Sequence, residues 1–494
     1  MRTTVTNPDV VAPEAIPPGA PAQLTSRDRT VIAVLLVSTF VVILNETIMS
    51  VALPVLMADL QVEASVGQWL TAGFLLTMSV IIPITGYLIR RVATRLLYGV
   101  AMALFSVGTL VAALAPGFAV LLAARVVQAS GTAIMLPLLM TAVMTLVPPT
   151  RRGAVMGNIS IVISVAPAIG PTVSGLVLSV LGWRFLFWLV LPIAVVTLVL
   201  GLQRLTDLGE PISTPIDLWS VLLSVFGFGG LVYGLSSIGQ QAGEPLTLAT
   251  WLAFVVGVIG LAAFLVRQIV LQRTDRALLD LRTFRSRTFT VATVMMMLMM
   301  GTLLGVIVLL PIYMQNVLGM EPLAIGLLLL PGGLLMGLLG PVVGRLYDRF
   351  GARKLLVPGT LVTSVALWST TLFDATSPFL LVLVFHLLLS VGLAFVFTPL
   401  FTAGLGAVPP HLYSYGSAIF GTTQQLAGAA GVALLVSVLS VRAAQVAAAG
   451  VGVIEQTAAG IHTAFLVAAI LSPIAVVGAF LIREPAENSA SPAH

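Results

Sequence analysis

The sequence predicts an all-α membrane protein that crosses the bilayer fourteen times, and three observations support this. Hydrophobic residues make up 59% and charged residues 8% of the 494 residues, whereas soluble chains carry roughly 45–50% and about 25%. Apolar runs of about 20 residues, long enough to cross a bilayer, recur fourteen times along the chain. Basic residues gather in alternate segments between these runs, which is typical of cytoplasmic membrane loops.

Residue types that support redox, metal or phosphate chemistry are scarce. The chain has no cysteine, which excludes disulfides, zinc–thiolate sites, iron–sulfur clusters and cysteine nucleophiles. Its four histidines are too scattered to predict a metal site, and Lys354 lies in no phosphate-binding pattern. We therefore expect no metal and no cofactor. The scatter of the basic residues also argues against a nucleic-acid partner.

The apolar runs and the basic segments together predict the domain organisation. Residues 1–29 contain five prolines and lack the apolar core of a signal peptide, so we expect a disordered cytoplasmic tail. A six-helix bundle over 30–203, two inserted helices with linkers over 204–288, a second six-helix bundle over 289–483 and a tail over 484–494 follow. With both termini in the cytoplasm, nearly all basic residues fall on cytoplasmic segments.

The two predicted bundles share an internal repeat. Residues 83–95 (PITGYLIRRVATR) align with 341–353 (PVVGRLYDRFGAR) at an offset of 258. Residues 131–142 (GTAIMLPLLMTA) align with 392–403 (GLAFVFTPLFTA) at an offset of 261, which also places Arg125 opposite His386. Membrane proteins built from related halves bind substrate between them, near the middle of the bilayer.

Five motifs then point to a family. They are GRLYDRFGARK (344–354), RVVQASG (125–131), GPTVSG (170–175), NETIMSVALP (45–54) and WRFLFWLVLP (183–192). With these five motifs placed along the chain as in that family, the sequence resembles the 14-helix drug:proton antiporters of the major facilitator superfamily, which are multidrug efflux permeases. The resemblance implies that superfamily's fold, with two six-helix halves and two inserted helices. Two positions depart from the family pattern: Arg90 replaces an aspartate in the first-half loop, and Asn45 replaces the aspartate of the first helix, with Glu46 next to it.

Glu46 and Arg125 are the predicted proton-coupling pair. Glu46 lies 16 residues into the first span, about 24 Å along a helix that rises 1.5 Å per residue. A carboxylate in the bilayer is costly unless it is protonated, paired or facing water. Arg125 is expected at similar depth, where it could pair with Glu46 directly or through water. Structural roles for both, in helix packing or in binding backbone carbonyls, remain open alternatives.

Three further groups of residues are candidates. Polar residues in or near the spans could line the substrate cavity: Asn45, Gln128, His386, Gln315, Asn316, Gln424 and Gln425. By resemblance, a helix bend that favours exchange over leak is expected at Pro167, Gly170, Pro171 and Gly175. By resemblance again, a cytoplasmic gating loop is expected at Gly344, Asp348, Arg349, Gly351, Arg353 and Lys354. Ordinary helix packing and a solvated basic loop are the alternatives.

The sequence thus predicts an exporter of lipophilic cationic or neutral drugs, driven by the proton gradient. It is expected to act as a monomer in the cell membrane. A same-fold exporter of a physiological lipid, siderophore or secreted metabolite is the alternative. An integral-membrane enzyme or sensor would need a catalytic constellation or a soluble domain, and the sequence shows neither.

Overall fold

The computed structural model describes residues 24–209, 212, 215–240, 246–374, 376–448 and 450–482. Fourteen helices within these ranges are long and apolar enough to cross a membrane, which confirms the predicted fold class. They are α1 (Ser26–Asp59), α2 (Trp69–Arg91), α3 (Thr94–Ala113), α4 (Phe118–Leu146), α5 (Arg152–Val180), α6 (Arg184–Arg204), α7 (Leu218–Gly239), α8 (Leu248–Leu271), α9 (Arg287–Asn316), α10 (Pro322–Phe350), α11 (Arg353–Ser369), α12 (Phe379–Gly406), α13 (Tyr413–Ala447) and α14 (Val453–Leu481).

The first helix begins earlier than predicted. Thr25 and Asp28 form a capping box, in which the Thr25 hydroxyl accepts from the Asp28 N–H at 3.1 Å and the Asp28 carboxylate accepts from the Thr25 N–H at 3.3 Å. Two otherwise unsatisfied donors are thereby paired, which fixes the helix start. The tail predicted for 1–29 is therefore wrong over 26–29, which are helical. Residues 1–23 and the predicted tail at 484–494 lie outside the described residues.

The two halves pair their helices in the same way, as the repeat predicts. In the first half α1 packs against α4, α5 and α6, while α3 packs against α4 and α6, and α2 against α4. In the second half α9 packs against α12, α13 and α14, while α11 packs against α12 and α14, and α10 against α12. These second-half helices thus take the partners of the helices eight positions earlier, except that α13 also packs extensively against α14 whereas α5 barely contacts α6.

Two long seams join the halves, and they correspond to each other under the repeat. One seam joins α5 to α10 and the other joins α2 to α13. In both seams the helix backbones approach closely at one end, where α2 and α10 end and where α5 and α13 begin. We call this the basic side, because Arg90, Arg91, Arg349 and Arg353 lie there. The structure is closed at the basic side.

The inserted helices α7 and α8 stand beside the α2–α13 seam. α7 contains one π-helical turn, Val225–Gly229. It contacts both halves: the Ser224 hydroxyl donates to the Val80 carbonyl of α2 at 3.1 Å, and Gly239 lies against Ala433 of α13. α8 packs along α7 through closely approaching glycines, Gly257 and Gly260 among them. The insertion therefore straddles one seam and leaves the α5–α10 seam uncovered.

Candidate transport site

Glu46 and Asn45 occupy different environments on α1. Asn45 is 2% exposed, and its Nδ2 is buried without a hydrogen-bond partner in the structure. Glu46 is half-buried, and no ion pair of its carboxylate is found in the described part of the chain. Adjacent helical residues point about 100° apart, which explains the difference. Glu46, and not the residue at the family's aspartate position, is thus the accessible polar group of this helix turn.

Arg125 is fully buried on α4 and holds three helices together. Its Nη1 donates to Gln128 Oε1 at 3.0 Å and its Nε donates to the Leu70 carbonyl of α2 at 3.4 Å. Its guanidinium lies 4.0 Å from the centre of the Phe74 ring. The Gln128 Nε2 in turn donates to Thr109 Oγ1 of α3 at 2.8 Å. The predicted proximity of Arg125 and Gln128 is present in the structure.

Of the two predicted arrangements of Arg125 and Glu46, the direct ion pair is not present among the described residues, and pairing through water stays a prediction. The described residues contain no ion pair between them within 4.0 Å. α1 does pack against α4, as expected. The arginine donors go instead to a backbone carbonyl and an amide, so the structure leaves the Glu46 carboxylate free of a direct basic partner.

The antiporter motif of α5 contributes one close contact beside this site. A Cβ on Gly170 would lie 2.2 Å from Thr47 Oγ1, so only glycine allows α5 to approach α1 here. Pro167, Pro171 and Gly175 are exposed, and a Cβ on Gly175 would meet no atom within 4 Å. α5 is one uninterrupted helix through the motif, and the bend expected at these residues stays a prediction.

His386 takes the place in the second half that Arg125 takes in the first. Arg125 on α4 donates to Leu70 of α2, and His386 on α12 lies 3.0 Å, through Nε2, from the Leu329 carbonyl of α10. Leu329 is within one residue of the position that the 258-residue offset assigns to Leu70. The His386 Nδ1 is buried without a partner in the structure. Both side chains therefore tie the fourth helix of a half to its second helix.

The remaining cavity candidates do not gather around Glu46. Gln315 and Asn316 are the last two residues of the ninth span, as predicted, and both are exposed there. Gln425 reaches across the α2–α13 seam, with its Nε2 3.8 Å from Met78 Sδ. The buried Gln424 Nε2 has no partner in the structure. These two glutamines mark the seam rather than the coupling site.

A lateral groove of about 710 Å³ lies between α2, α4 and the inserted helices. Apolar side chains such as Val80, Val126 and Phe226 line most of it, and the Trp69 and Tyr233 rings stack beside it, 5.7 Å apart. None of the predicted site residues lines this groove.

Asp348 connects the halves at the basic side. Its carboxylate accepts from the backbone N–H groups of Gly153 and Ala154, at 2.7 and 2.8 Å, in the first turn of α5. An anion is favourable at a helix N-terminus because unpaired N–H groups and the helix dipole point towards it. Of the predicted gating residues, Asp348 is the one with this inter-half contact.

Of the other predicted gating residues, Gly344 also lies between the halves, whereas Gly351, Arg349 and Arg353 contact residues of their own half. Gly351 has φ +80° and ends α10, with its N–H bonded to the Tyr347 carbonyl at 2.8 Å. Arg349 lies over the Phe350 ring and Arg353 over the Phe480 ring. Gly344 faces Gly153, where a Cβ would come within 2.1 Å of the Gly153 carbonyl oxygen.

Sequence reasoning missed the α5 side of this contact. Gly153 and Gly157 face Gly344 and Gly340, and a Cβ at any of the four would lie within 2.6 Å of a facing backbone oxygen. The two glycines on each helix are four residues apart, as in membrane helices that approach each other through small residues. That spacing is the signal that could have revealed the α5–α10 seam.

The comparisons with known proteins agree with this architecture. The family model described as Major Facilitator Superfamily matches residues 35–432. The chain belongs to the major facilitator superfamily. The uncharacterized MFS-type transporter YcnB of Bacillus subtilis is 40% identical over 92% of this superfamily member and 95% of its own length. The lincomycin resistance protein LmrB of the same organism is 38% identical over 91% and 94% of the two chains.

More distant proteins extend this superfamily assignment. A multidrug resistance protein B homolog of Mycobacterium tuberculosis is 29% identical over 79% of this chain and 72% of its own. The solved structure of the human organic anion transporter MFSD10 superposes with a TM-score of 0.65 at 16% identity, covering 93% of this chain and all of that one. That likeness concerns the fold. The predicted family resemblance is confirmed.

Proposed function

We propose that this chain is a proton-coupled antiporter that exports lipophilic cationic or neutral drugs by alternating access. The observation that carries the proposal is Glu46, a half-buried carboxylate in the middle of a membrane helix without a direct ion pair in the described residues. Relatives named for lincomycin resistance and multidrug resistance support a drug as cargo.

The chemistry of exchange follows from this environment. An ionised carboxylate within the bilayer costs several kcal/mol unless a proton or a cation neutralises it. The buried Arg125 attracts the Glu46 charge from a distance, but its hydrogen bonds go to Leu70 and Gln128. A proton and a monovalent cationic substrate can therefore compete for one carboxylate. Exchange results when one is taken up as the other is released.

The arrangement of the halves supplies the conformational part of the proposal. We place the basic side in the cytoplasm, with both termini there, because Lys/Arg-rich segments favour that side. The structure then corresponds to a state closed to the cytoplasm, held by the α5–α10 and α2–α13 seams. Opening of both seams would expose the Glu46 region to the cytoplasm. We propose that a monomer in the cell membrane carries out this cycle.

The test is efflux of a lipophilic fluorescent cation from energised cells. Wild type is compared with Glu46→Gln, which keeps the shape and removes the charge, and with Gln315→Ala as a control at an exposed helix end. We expect wild type and the control to export the dye, an uncoupler to stop export, and Glu46→Gln to reduce it at least tenfold at equal expression.

Two results would contradict parts of the proposal. Normal export by Glu46→Gln, with export still blocked by the uncoupler, would place proton coupling elsewhere, and His386 would become the next residue to substitute. Wild type that moves no cationic or neutral dye would refute drug export. It would favour a dedicated physiological cargo on the same fold.

A further inference from the structure

The inserted helices are attached to the seam through the segment that follows them. Gln268, near the end of α8, is completely buried. Its Oε1 accepts from the backbone N–H of Leu278 at 2.7 Å and of Leu279 at 3.3 Å, and its Nε2 donates to Ser220 Oγ of α7 at 2.9 Å. One side chain thus fixes the α8–α9 linker to both inserted helices.

An ion pair joins the two inserted helices close to Gln268. Asp217 accepts two hydrogen bonds from Arg267, at 2.6 and 2.7 Å, and a further bond from the Ser220 N–H at 2.9 Å. The Arg267 guanidinium holds the pKa of Asp217 well below its usual range. Charge-assisted bidentate pairs of this kind are strong and directional. Gln268 therefore attaches the α8–α9 linker to two helices that the Asp217–Arg267 ion pair joins to each other.

The anchored linker lies on the α2–α13 seam. Residues 277–280 are buried, and the carbonyl of Ala277 accepts from the Tyr415 hydroxyl of α13 at 3.4 Å. The same hydroxyl accepts from Arg90 Nη1 of α2 at 3.4 Å, and the Arg90 guanidinium lies 5.3 Å from the centre of the Tyr415 ring. Gly86 lets α2 approach the backbone of Ser414 and Tyr415 at this point.

The two seams are therefore closed by different means. At the α5–α10 seam, Asp348 caps the N-terminus of the facing helix. At the α2–α13 seam, the corresponding position is Arg90, which cannot accept hydrogen bonds from a helix N-terminus. The insertion and its linker stand at this seam and not at the other.

We propose that Gln268 is a positioning residue for transport. It holds residues 277–280 against Tyr415 and Arg90, so that the inserted helices stabilise the state closed at the basic side. The insertion thereby supplies at the α2–α13 seam what Asp348 supplies at the other. The inference rests on the proposed alternating access, but its test reads exposure of the seams directly and needs neither a proton gradient nor a substrate.

The experiment uses the absence of native cysteines. Single-cysteine reporters are made separately as Ser417→Cys, at the α4–α13 contact beside the α2–α13 seam, and Thr398→Cys, at the α5–α12 contact, since both side chains are buried. The rate of maleimide labelling from the basic side is measured in the full chain, with and without Gln268→Leu. Gln272→Leu is the matched control, because it removes a glutamine one turn later whose Oε1 has no partner in the structure.

We expect Gln268→Leu to raise the labelling rate of both reporters about three- to tenfold, because halves that rock as rigid bodies open both seams together. We expect Gln272→Leu to leave both labelling rates unchanged. Tyr415→Phe, which removes only the hydroxyl, should raise both rates in the same direction by a smaller factor. Faster labelling of Ser417→Cys alone would mean local loosening and would overturn the proposal. Unchanged labelling of both reporters in folded Gln268→Leu protein would overturn it as well. If the wild-type protein exports no dye, the proposed function is contradicted, but the labelling rates still test the role of Gln268.

Discussion

Replacing Asp348 by asparagine tests whether the acid cap keeps the basic side closed. The carboxylate accepts two backbone N–H groups of α5, at 2.7 and 2.8 Å. Asparagine retains one acceptor oxygen at nearly the same size but loses the charge and presents an NH₂ group to the α5 donors. Asp348→Asn should therefore weaken the α5–α10 seam without disturbing the glycine contacts below it.

The expected magnitude follows from these two bonds. Hydrogen bonds to a charged group contribute roughly 1.5–3 kcal/mol each, and an anion at a helix N-terminus contributes roughly 0.3–1 kcal/mol. Since Asp348 is only half-buried and one acceptor remains, we expect the closed state to lose about 2 kcal/mol. At about 1.4 kcal/mol per factor of ten, this raises the open population about 30-fold.

The assay is maleimide labelling of Thr398→Cys from the basic side. Thr398 is 1% exposed and its hydroxyl lies 2.6 Å from that of Ser160 on α5, so it is protected while the seam is closed. Arg349→Gln is the control, because Arg349 neighbours Asp348 and its guanidinium lies over the adjacent Phe350 ring of the same helix. A labelling rate that rises less than threefold in folded Asp348→Asn protein, or equally in the control, would refute the role of the cap.

Two further substitutions test the packing around Glu46. Gly170→Ala should lower transport at least tenfold, because its Cβ would lie 2.2 Å from Thr47 Oγ1. The control Gly175→Ala should transport normally, because its Cβ would meet no atom within 4 Å. Equal effects of the two substitutions in the efflux assay would argue against the contact between Gly170 and Thr47. Gln128→Leu should lower the free energy of unfolding by about 2 kcal/mol, since it leaves a buried donor of Arg125 unpaired. Unfolding in mixed micelles measures this, and an unchanged value would mean that Arg125 finds another acceptor.

Local pattern was sufficient for the helices and for the repeat. Apolar runs of bilayer length must be helical because lipid cannot satisfy backbone polar groups, so all fourteen spans could be read from the sequence. The 258-residue offset anticipated that Gly86 and Gly344 take equivalent places, each at a seam. The offset of 261 likewise placed His386 opposite Arg125, and both bond to the second helix of their half.

Side-chain partners could not be predicted in the same way. The sequence left open whether Arg125 pairs with Glu46 directly or through water, and the described residues show no direct ion pair. It placed Gln315 and Asn316 in or near the ninth span, and they end α9, but it could not show that their side chains are exposed there. It also expected a bend in α5 at its two prolines, and the helix runs without interruption through both.

The sequence by itself determined the class of protein, the number of membrane helices, the two related halves and the residues with unusual chemistry, Glu46 and Arg125. These follow from composition and spacing, which depend on each stretch of chain alone. Only the tertiary structure decided that Asp348 caps α5, that Glu46 lacks a direct basic partner and that Gln268 ties the insertion to one seam. Each of these depends on which helices lie side by side and on how far each is rotated about its axis. A turn of about 100° per residue separates a buried side chain from an accessible one, as Asn45 and Glu46 show.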